Sequence, residues 1–269
     1  MPTNPKEHVY KPIWFCIYCS NGLPKEATKR KLGAEHIIPF GLGGIQILPR
    51  ASCGKCARIT GAVEQSCLRM MLGPTRIRLG LPTRNPQERP SELTLVLSEG
   101  VKPIGELRIP ASEFPLVIPG LRLPTPGILA GERPHDRLVG EFVLIQNETE
   151  TRKYLNGDRK GFRAATFNNH LFMRMLAKIA HSYAVAEWGF HSFRPLLLDL
   201  ILGRSETASY WVGGSGRELP PDHFNLHRLE LRREMLLATT YVVAYVRLFC
   251  NFGAPEYRVV VGTWNGPRD

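Results

Sequence analysis

The chain has 269 residues, 43% of them hydrophobic, which is enough for one large domain or two small ones. No apolar stretch reaches the length of a membrane span: the most apolar late segment, residues 235–249, is too short and contains Arg247. The N-terminal residues lack the apolar region of a signal peptide, so we expect a cytoplasmic protein that does not enter a membrane. A net charge of +11 favours a polyanionic partner, nucleic acid before membrane headgroups.

Residues 1–72 form a segment rich in cysteine. Two C-x-x-C pairs, Cys16 with Cys19 and Cys53 with Cys56, have the spacing of a four-thiolate structural zinc site. In a cytoplasmic protein such pairs favour metal over disulfides. A reversible redox or metal-sensing role for the same cysteines remains an alternative. The other two cysteines, Cys67 and Cys250, are interpreted as buried thiols.

The remaining residues, 73–269, predict a larger α+β region with antiparallel strands. Residues 73–165 combine many prolines and glycines with short apolar runs, which is typical of strands and turns. Residues 166–202 are predicted to be helical, because apolar residues recur at steps of three and four from Leu171 to Tyr183. Thr166 or Asn168 can cap this helix, and Gly189 can end it. Residues 222–264 predict long strands.

The segment between the two cysteine pairs contains AEHIIPFGLGG, residues 34–44. A C-x-x-C pair, a Glu-His-Ile-Ile-Pro run, a Leu-Gly-Gly turn and a second C-x-x-C that opens a helix together resemble the HNH endonucleases. The resemblance covers only about residues 14–70, a quarter of the chain, but the order and spacing within it are specific. The matching positions are Cys16, Cys19, Glu35, His36, Pro39, Leu42, Gly43, Gly44, Cys53, Cys56 and Glu64.

The resemblance implies a zinc-stapled ββα-metal module that cleaves DNA. In it, His36 is the general base that activates water, and Glu35 ligates one catalytic Mg²⁺ or Mn²⁺ ion. Histidine titrates near neutral pH, and a divalent cation neutralises charge on a phosphodiester, so these roles suit the residue types. Successive strand residues face opposite sides, and both side chains therefore reach one site only at a distorted strand end.

The chain departs from the family pattern at two positions. Gln46 is the nearest substitute for the central Asn that braces the loop, and we assign it to the catalytic set. Ala57 stands where the family commonly has an Asn or His ligand just after the last cysteine. Thr60 and Glu64 follow on the same helix face, and they are predicted to complete the cation site directly or through water.

Basic residues flank the Glu-His pair on both sides, as contacts to a nucleic-acid backbone require. The predicted contacts are Lys29, Arg30, Lys31, Arg50, Lys55 and Arg58. An alternative function is a catalytically impaired, zinc-stapled protein that binds nucleic acid without cutting it, since Ala57 cannot ligate a metal. The oligomeric state stays open, with a homo-oligomer among the options.

Overall fold

The computed structural model describes residues 7–19, 31–99, 102–146, 160–162 and 167–266. The fold is α+β with antiparallel sheets, which confirms the predicted class. The described strands are β1 His8–Val9, β2 Leu32–His36, β3 Gln46–Cys53, β4 Glu92–Glu99, β5 Lys102–Pro110, β6 Val117–Arg122, β7 Glu141–Gln146, β8 Lys160–Phe162, β9 Phe193–Pro195, β10 Val212–Gly214, β11 His227–Leu236, β12 Thr239–Leu248 and β13 Tyr257–Trp264. The described α-helices are α1 Gly54–Ser66, α2 Gly73–Arg78, α3 Asn169–Trp188, α4 Leu198–Ile201 and α5 Ala208–Trp211.

The N-terminal segment is a hairpin followed at once by a helix. Strands β2 and β3 pair antiparallel, with His36 opposite Ile47, and β1 joins the far side of β3 in parallel. Helix α1 begins at Gly54, directly after the last residue of β3, and a π-helical turn, Cys67–Met71, leads from it towards α2. The order β2, β3, α1 therefore forms a ββα unit.

The stretch predicted to be strands and turns begins instead with helix α2. Its early Pro74 suits the first helical turn, where a missing backbone N–H costs nothing. Strands β4 to β8 follow, in two small sheets with the orders β5-β4-β8 and β6-β7.

Helix α3 is the central element of the C-terminal half. The Asn168 side chain caps it by accepting a hydrogen bond from the backbone N–H of Leu171 at 3.0 Å, whereas Thr166 lies outside the described residues. Gly189 ends the helix at a φ of 82°. One side of α3 packs on β12 and β13, and another side packs on α1.

One continuous hydrophobic core joins the cysteine segment to the C-terminal half. It includes Ile17 and Leu48 from the first segment, Leu176 from α3, and Val246 and Val259 from the C-terminal sheet. This sheet has the order β10-β13-β12-β11, with β9 added beside β13. The domain boundary at residue 72 stays a prediction, and the core runs across it.

A search for helices that are long and apolar enough to cross a membrane finds none among the described residues.

Replacing Leu176 with alanine tests the shared core. The side chain is fully buried, so we expect Leu176→Ala to lower the free energy of unfolding by about 2–5 kcal/mol. Because the core is continuous, zinc release and loss of far-UV circular dichroism are expected to occur at the same, lowered temperature. Leu237→Ala is the matched control, since Leu237 is 92% exposed, and it should change little. Zinc release at an unchanged temperature would contradict the shared core.

Candidate active site and metal centre

Four cysteine thiols converge at the junction of the hairpin and α1. The sulfur atoms of Cys16, Cys19, Cys53 and Cys56 all lie within 4.8 Å of one another. The sulfurs of Cys19 and Cys53 are 3.7 Å apart. A zinc ion bonded to four thiolates at about 2.3 Å separates its sulfurs by about 3.8 Å, so the donor set fits tetrahedral zinc.

The environment of these thiols favours at least one thiolate. A hydrogen bond from Cys56 lowers the pKa of Cys16 to about 5, which favours the thiolate form of Cys16. Burial raises the pKa of Cys19 to about 11. The cluster can therefore hold a metal, and metal binding would displace the remaining thiol protons.

The Glu-His pair lies at the end of β2, where the strand is irregular. The register between β2 and β3 shifts between Gly33 and Glu35. Glu35 and His36 themselves pair in regular register with Leu48 and Ile47, and both line a single cleft of about 480 Å³. The irregularity therefore precedes the pair, and the distortion that was expected to turn both side chains to one side does not lie between them.

The glycine turn after the pair is sterically determined. Gly43 has a φ of 82°, which favours glycine. A Cβ atom on Gly44 would lie 1.9 Å from the carbonyl oxygen of Ile38, so no larger residue fits there. The backbone carbonyls of this turn accept hydrogen bonds from distant side chains, Nε of Arg76 to Gly41 and Nε2 of His227 to Leu42.

His227 is a neutral residue with a defined tautomer. Its Nδ1 accepts from the backbone N–H of Phe249, so its Nε2 carries the proton that it donates to Leu42 over 2.6 Å. Burial lowers the pKa of His227 to about 4. The C-terminal sheet therefore anchors the glycine turn.

Lys178 from α3 connects two of the carboxylates that line the cleft. Its ammonium nitrogen lies 2.6 Å from Oε1 of Glu35 and 2.7 Å from Oε1 of Glu64. It also donates to the backbone carbonyl of His36 and, over 3.3 Å, to that of Ile37. The Lys178 side chain is only 3% exposed, and it lies behind the cleft rather than in its lining.

The electrostatics of this group follow from burial and from one surplus negative charge. Burial by itself lowers the pKa of Lys178, but Glu35 and Glu64 outweigh it and raise that pKa, so the ammonium stays charged. Burial raises the pKa of Glu35 and Lys178 opposes this, while the nearby Glu64 adds to the rise. Burial, and then the charge of Lys178, lowers the pKa of half-buried His36 and favours its neutral form at pH 7.

The helix α1 presents one face to the cleft. Ala57, Thr60 and Glu64 all lie on that face. The Thr60 hydroxyl donates to the backbone carbonyl of Cys56 at 3.2 Å. Gln46 lies outside the lining of the cleft, and its amide donates to the Tyr10 hydroxyl at 3.1 Å.

The predicted nucleic-acid contacts are spread over several surfaces. Lys29 and Arg30 lie outside the described residues, and Lys31 is exposed. The Arg50 guanidinium stacks over the Trp14 ring at 4.3 Å. Lys55 and Arg58 are exposed on the opposite face of α1, beside a shallow hollow that they share with Arg174 and Leu171.

The basic residues that line the cleft are Arg69, Arg76 and Arg84. Arg69 and Arg84 are exposed. All three guanidinium nitrogens of Arg76 donate to backbone carbonyls, those of Gly41, Leu68 and Pro82, so this residue holds the walls of the cleft together.

The residues do not fit a divalent cation between Glu35 and Glu64. The facing oxygens of both carboxylates already pair with the Lys178 ammonium, which fills the space between them. A cation there would lie against a buried positive charge. Of the other predicted ligands, Thr60 directs its hydroxyl proton to the backbone.

Comparisons with known proteins give no relative: no family model, no curated protein and no solved structure matches this chain.

Removing one thiol tests the metal centre. We expect Cys56→Ser to reduce bound zinc from one ion per chain, as measured by plasma emission spectrometry, and to lower Tm by about 10 °C or more. Cys250→Ser is the matched control, since it alters a buried thiol that lies outside the cluster and bonds to Asn225. Full zinc occupancy in Cys56→Ser would argue against the four-cysteine site.

Proposed function

We propose that this chain is an HNH-type endonuclease that hydrolyses phosphodiester bonds of DNA in the cleft at His36. The observation that carries the proposal is one cleft in which a ββα unit places a half-buried neutral imidazole and the carboxylates of Glu35 and Glu64, and to which Arg69 and Arg84 add two exposed guanidiniums. The resemblance of residues 14–70 to HNH endonucleases supports it. The net charge of +11 suits a polyanionic substrate.

In the proposed reaction, His36 accepts a proton from a water molecule in the cleft. The resulting hydroxide forms a bond to phosphorus, and the ester P–O bond breaks. The electron pair of that bond leaves with the ester oxygen, which takes a proton from solvent. His36 then releases its proton to solvent and is neutral again.

The remaining groups have supporting roles. Arg69 and Arg84 line the cleft, and we assign them contacts with phosphate oxygens, whose charge grows during the attack. Structural zinc at the four cysteines fixes the spacing between the hairpin and α1. The resemblance also implies Mg²⁺ or Mn²⁺ at Glu35, but Lys178 holds the position between the carboxylates, so we assign no step to such an ion.

Substitution of His36 is the direct test. With zinc-loaded protein and supercoiled plasmid, we expect His36→Ala to reduce the nicking rate by about a hundredfold or more, because the general base is removed. His223→Ala is the control, since His223 is exposed and lies outside the cleft. Each protein is assayed with and without added Mg²⁺ or Mn²⁺.

Two results would contradict the proposal in different ways. Equal nicking by wild type and His36→Ala would assign the activity to another group or to a contaminant. Salt-sensitive DNA binding without nicking would favour the alternative of an impaired nucleic-acid-binding protein, to which Ala57 in the cleft also points.

The pH dependence of nicking provides a second test. A general base acts when it is neutral, so the rate should fall as pH drops through the pKa of His36. Because burial and Lys178 lower that pKa, the midpoint of the acidic limb is expected below about 6.5, the ordinary value for histidine. An NMR titration of the His36 ring, assigned with a His36→Gln spectrum, should give the same midpoint. A limb centred above the ordinary value would contradict the assignment.

A further inference from the structure

The surroundings of the Lys178 ammonium are those of a bound cation. Four oxygen atoms lie around it: two from carboxylates, of Glu35 and Glu64, and two from the backbone carbonyls of His36 and Ile37. A cage of carboxylate and carbonyl oxygens is the kind of environment that hard divalent cations select in proteins. Here the positive charge at the centre of the cage is the ammonium of Lys178 and not a metal ion.

The charge balance explains why a positive charge is favourable at this position. Two carboxylates, 8% and 20% exposed, face each other across the space that Lys178 fills. Without a cation between them they would repel each other at close range in a medium of low polarity. The ammonium removes that repulsion without an exogenous ion.

The position of the ammonium is determined by the packing of α3. Ser182, one turn after Lys178, donates its hydroxyl proton to the Lys178 carbonyl at 2.8 Å and accepts a hydrogen bond from the buried Tyr18 hydroxyl at 3.1 Å. His181 lies 2.9 Å from the carbonyl oxygen of Ile17, inside the first cysteine pair. The same helix therefore contacts the segment of the first cysteine pair and supplies the ammonium between the two carboxylates.

We propose that the Lys178 ammonium is the resident cation of the site and takes the place of a divalent cation between Glu35 and Glu64. This inference rests on the proposed function, because it assigns a role to a residue beside the same cleft. Lys178 does not line that cleft, so it is a positioning residue that holds the two carboxylates and the end of β2. A consequence is that the wild-type cleft takes no Mn²⁺ between these carboxylates.

The experiment is a Mn²⁺ titration of zinc-loaded protein, followed by the loss of the free Mn²⁺ signal in electron paramagnetic resonance. Wild type is expected to show no saturable Mn²⁺ site. Lys178→Ala leaves both carboxylates facing an empty space, and we expect it to gain one saturable Mn²⁺ site per chain, with an affinity at least about tenfold above any residual Mn²⁺ binding by wild type. Lys178→Ala combined with Glu64→Gln removes one ligand and should lose that site again.

The role of Lys178 can be tested even if Lys178→Ala is unstable. If Lys178→Ala is poorly folded, refolding with and without Mn²⁺ is compared by circular dichroism, and recovery only with Mn²⁺ supports the inference. Two results overturn it: a single Mn²⁺ site in wild type that disappears in Glu64→Gln, or Lys178→Ala that folds equally with and without Mn²⁺ and gains no site.

These readouts measure ion binding and not cleavage. Absence of nicking under every condition would therefore contradict the proposed nuclease function. The Mn²⁺ titrations would still decide the role of Lys178.

Discussion

The ion-pair contacts of one ammonium group, that of Lys178, determine how the candidate site is built. A buried lysine is tolerated only when its charge is paired and its donors are used, because removing an ion from water costs several kcal/mol. Lys178 meets both conditions through Glu35, Glu64 and the backbone carbonyl of His36. These partners lie on β2 and α1, whereas Lys178 lies on α3. The ammonium therefore links three elements at one point, and each must be placed correctly for the charge to be stable.

This link makes the cysteine segment dependent on residues far along the chain. His181 reaches the first cysteine pair, and His227 anchors the glycine turn from the C-terminal sheet. Burial lowers the pKa of both histidines to about 4, so they remain neutral hydrogen-bonding groups across the physiological range. The hydrophobic core is shared in the same way. The C-terminal residues thus complete the site structurally, whatever further role they have.

Local patterns in the sequence were sufficient for the parts of the site that depend on local chemistry. Four cysteines at C-x-x-C spacing predict a metal centre, and the turn after His36 needs two glycines for steric reasons. The adjacent Glu35 and His36 were expected to need a distorted strand end to reach one site, but the register shift lies before the pair, and the two residues keep regular pairing. Lys178 was not predicted, although it interrupts the apolar face of α3, three residues after Met175. A charge on a buried face signals a buried partner. It does not say which of the 24 acidic residues that partner is, because the pairing depends on how α3 packs against the hairpin.

The distribution of charge in the cleft limits how it can receive a phosphodiester. Glu35 and Glu64 line it, with the Lys178 ammonium behind them, and this group carries a surplus negative charge that repels a phosphate. Arg76 lines the cleft, but its three guanidinium nitrogens donate to backbone carbonyls. It therefore contributes long-range attraction for a phosphate and few direct contacts with it. Arg69 and Arg84 remain exposed in the lining. A phosphate would accordingly be held at the rim by these two residues. In the proposed function, contact with these two arginines would keep the phosphate apart from Glu35 and Glu64, so that an acidic group and an anionic substrate can share the cleft.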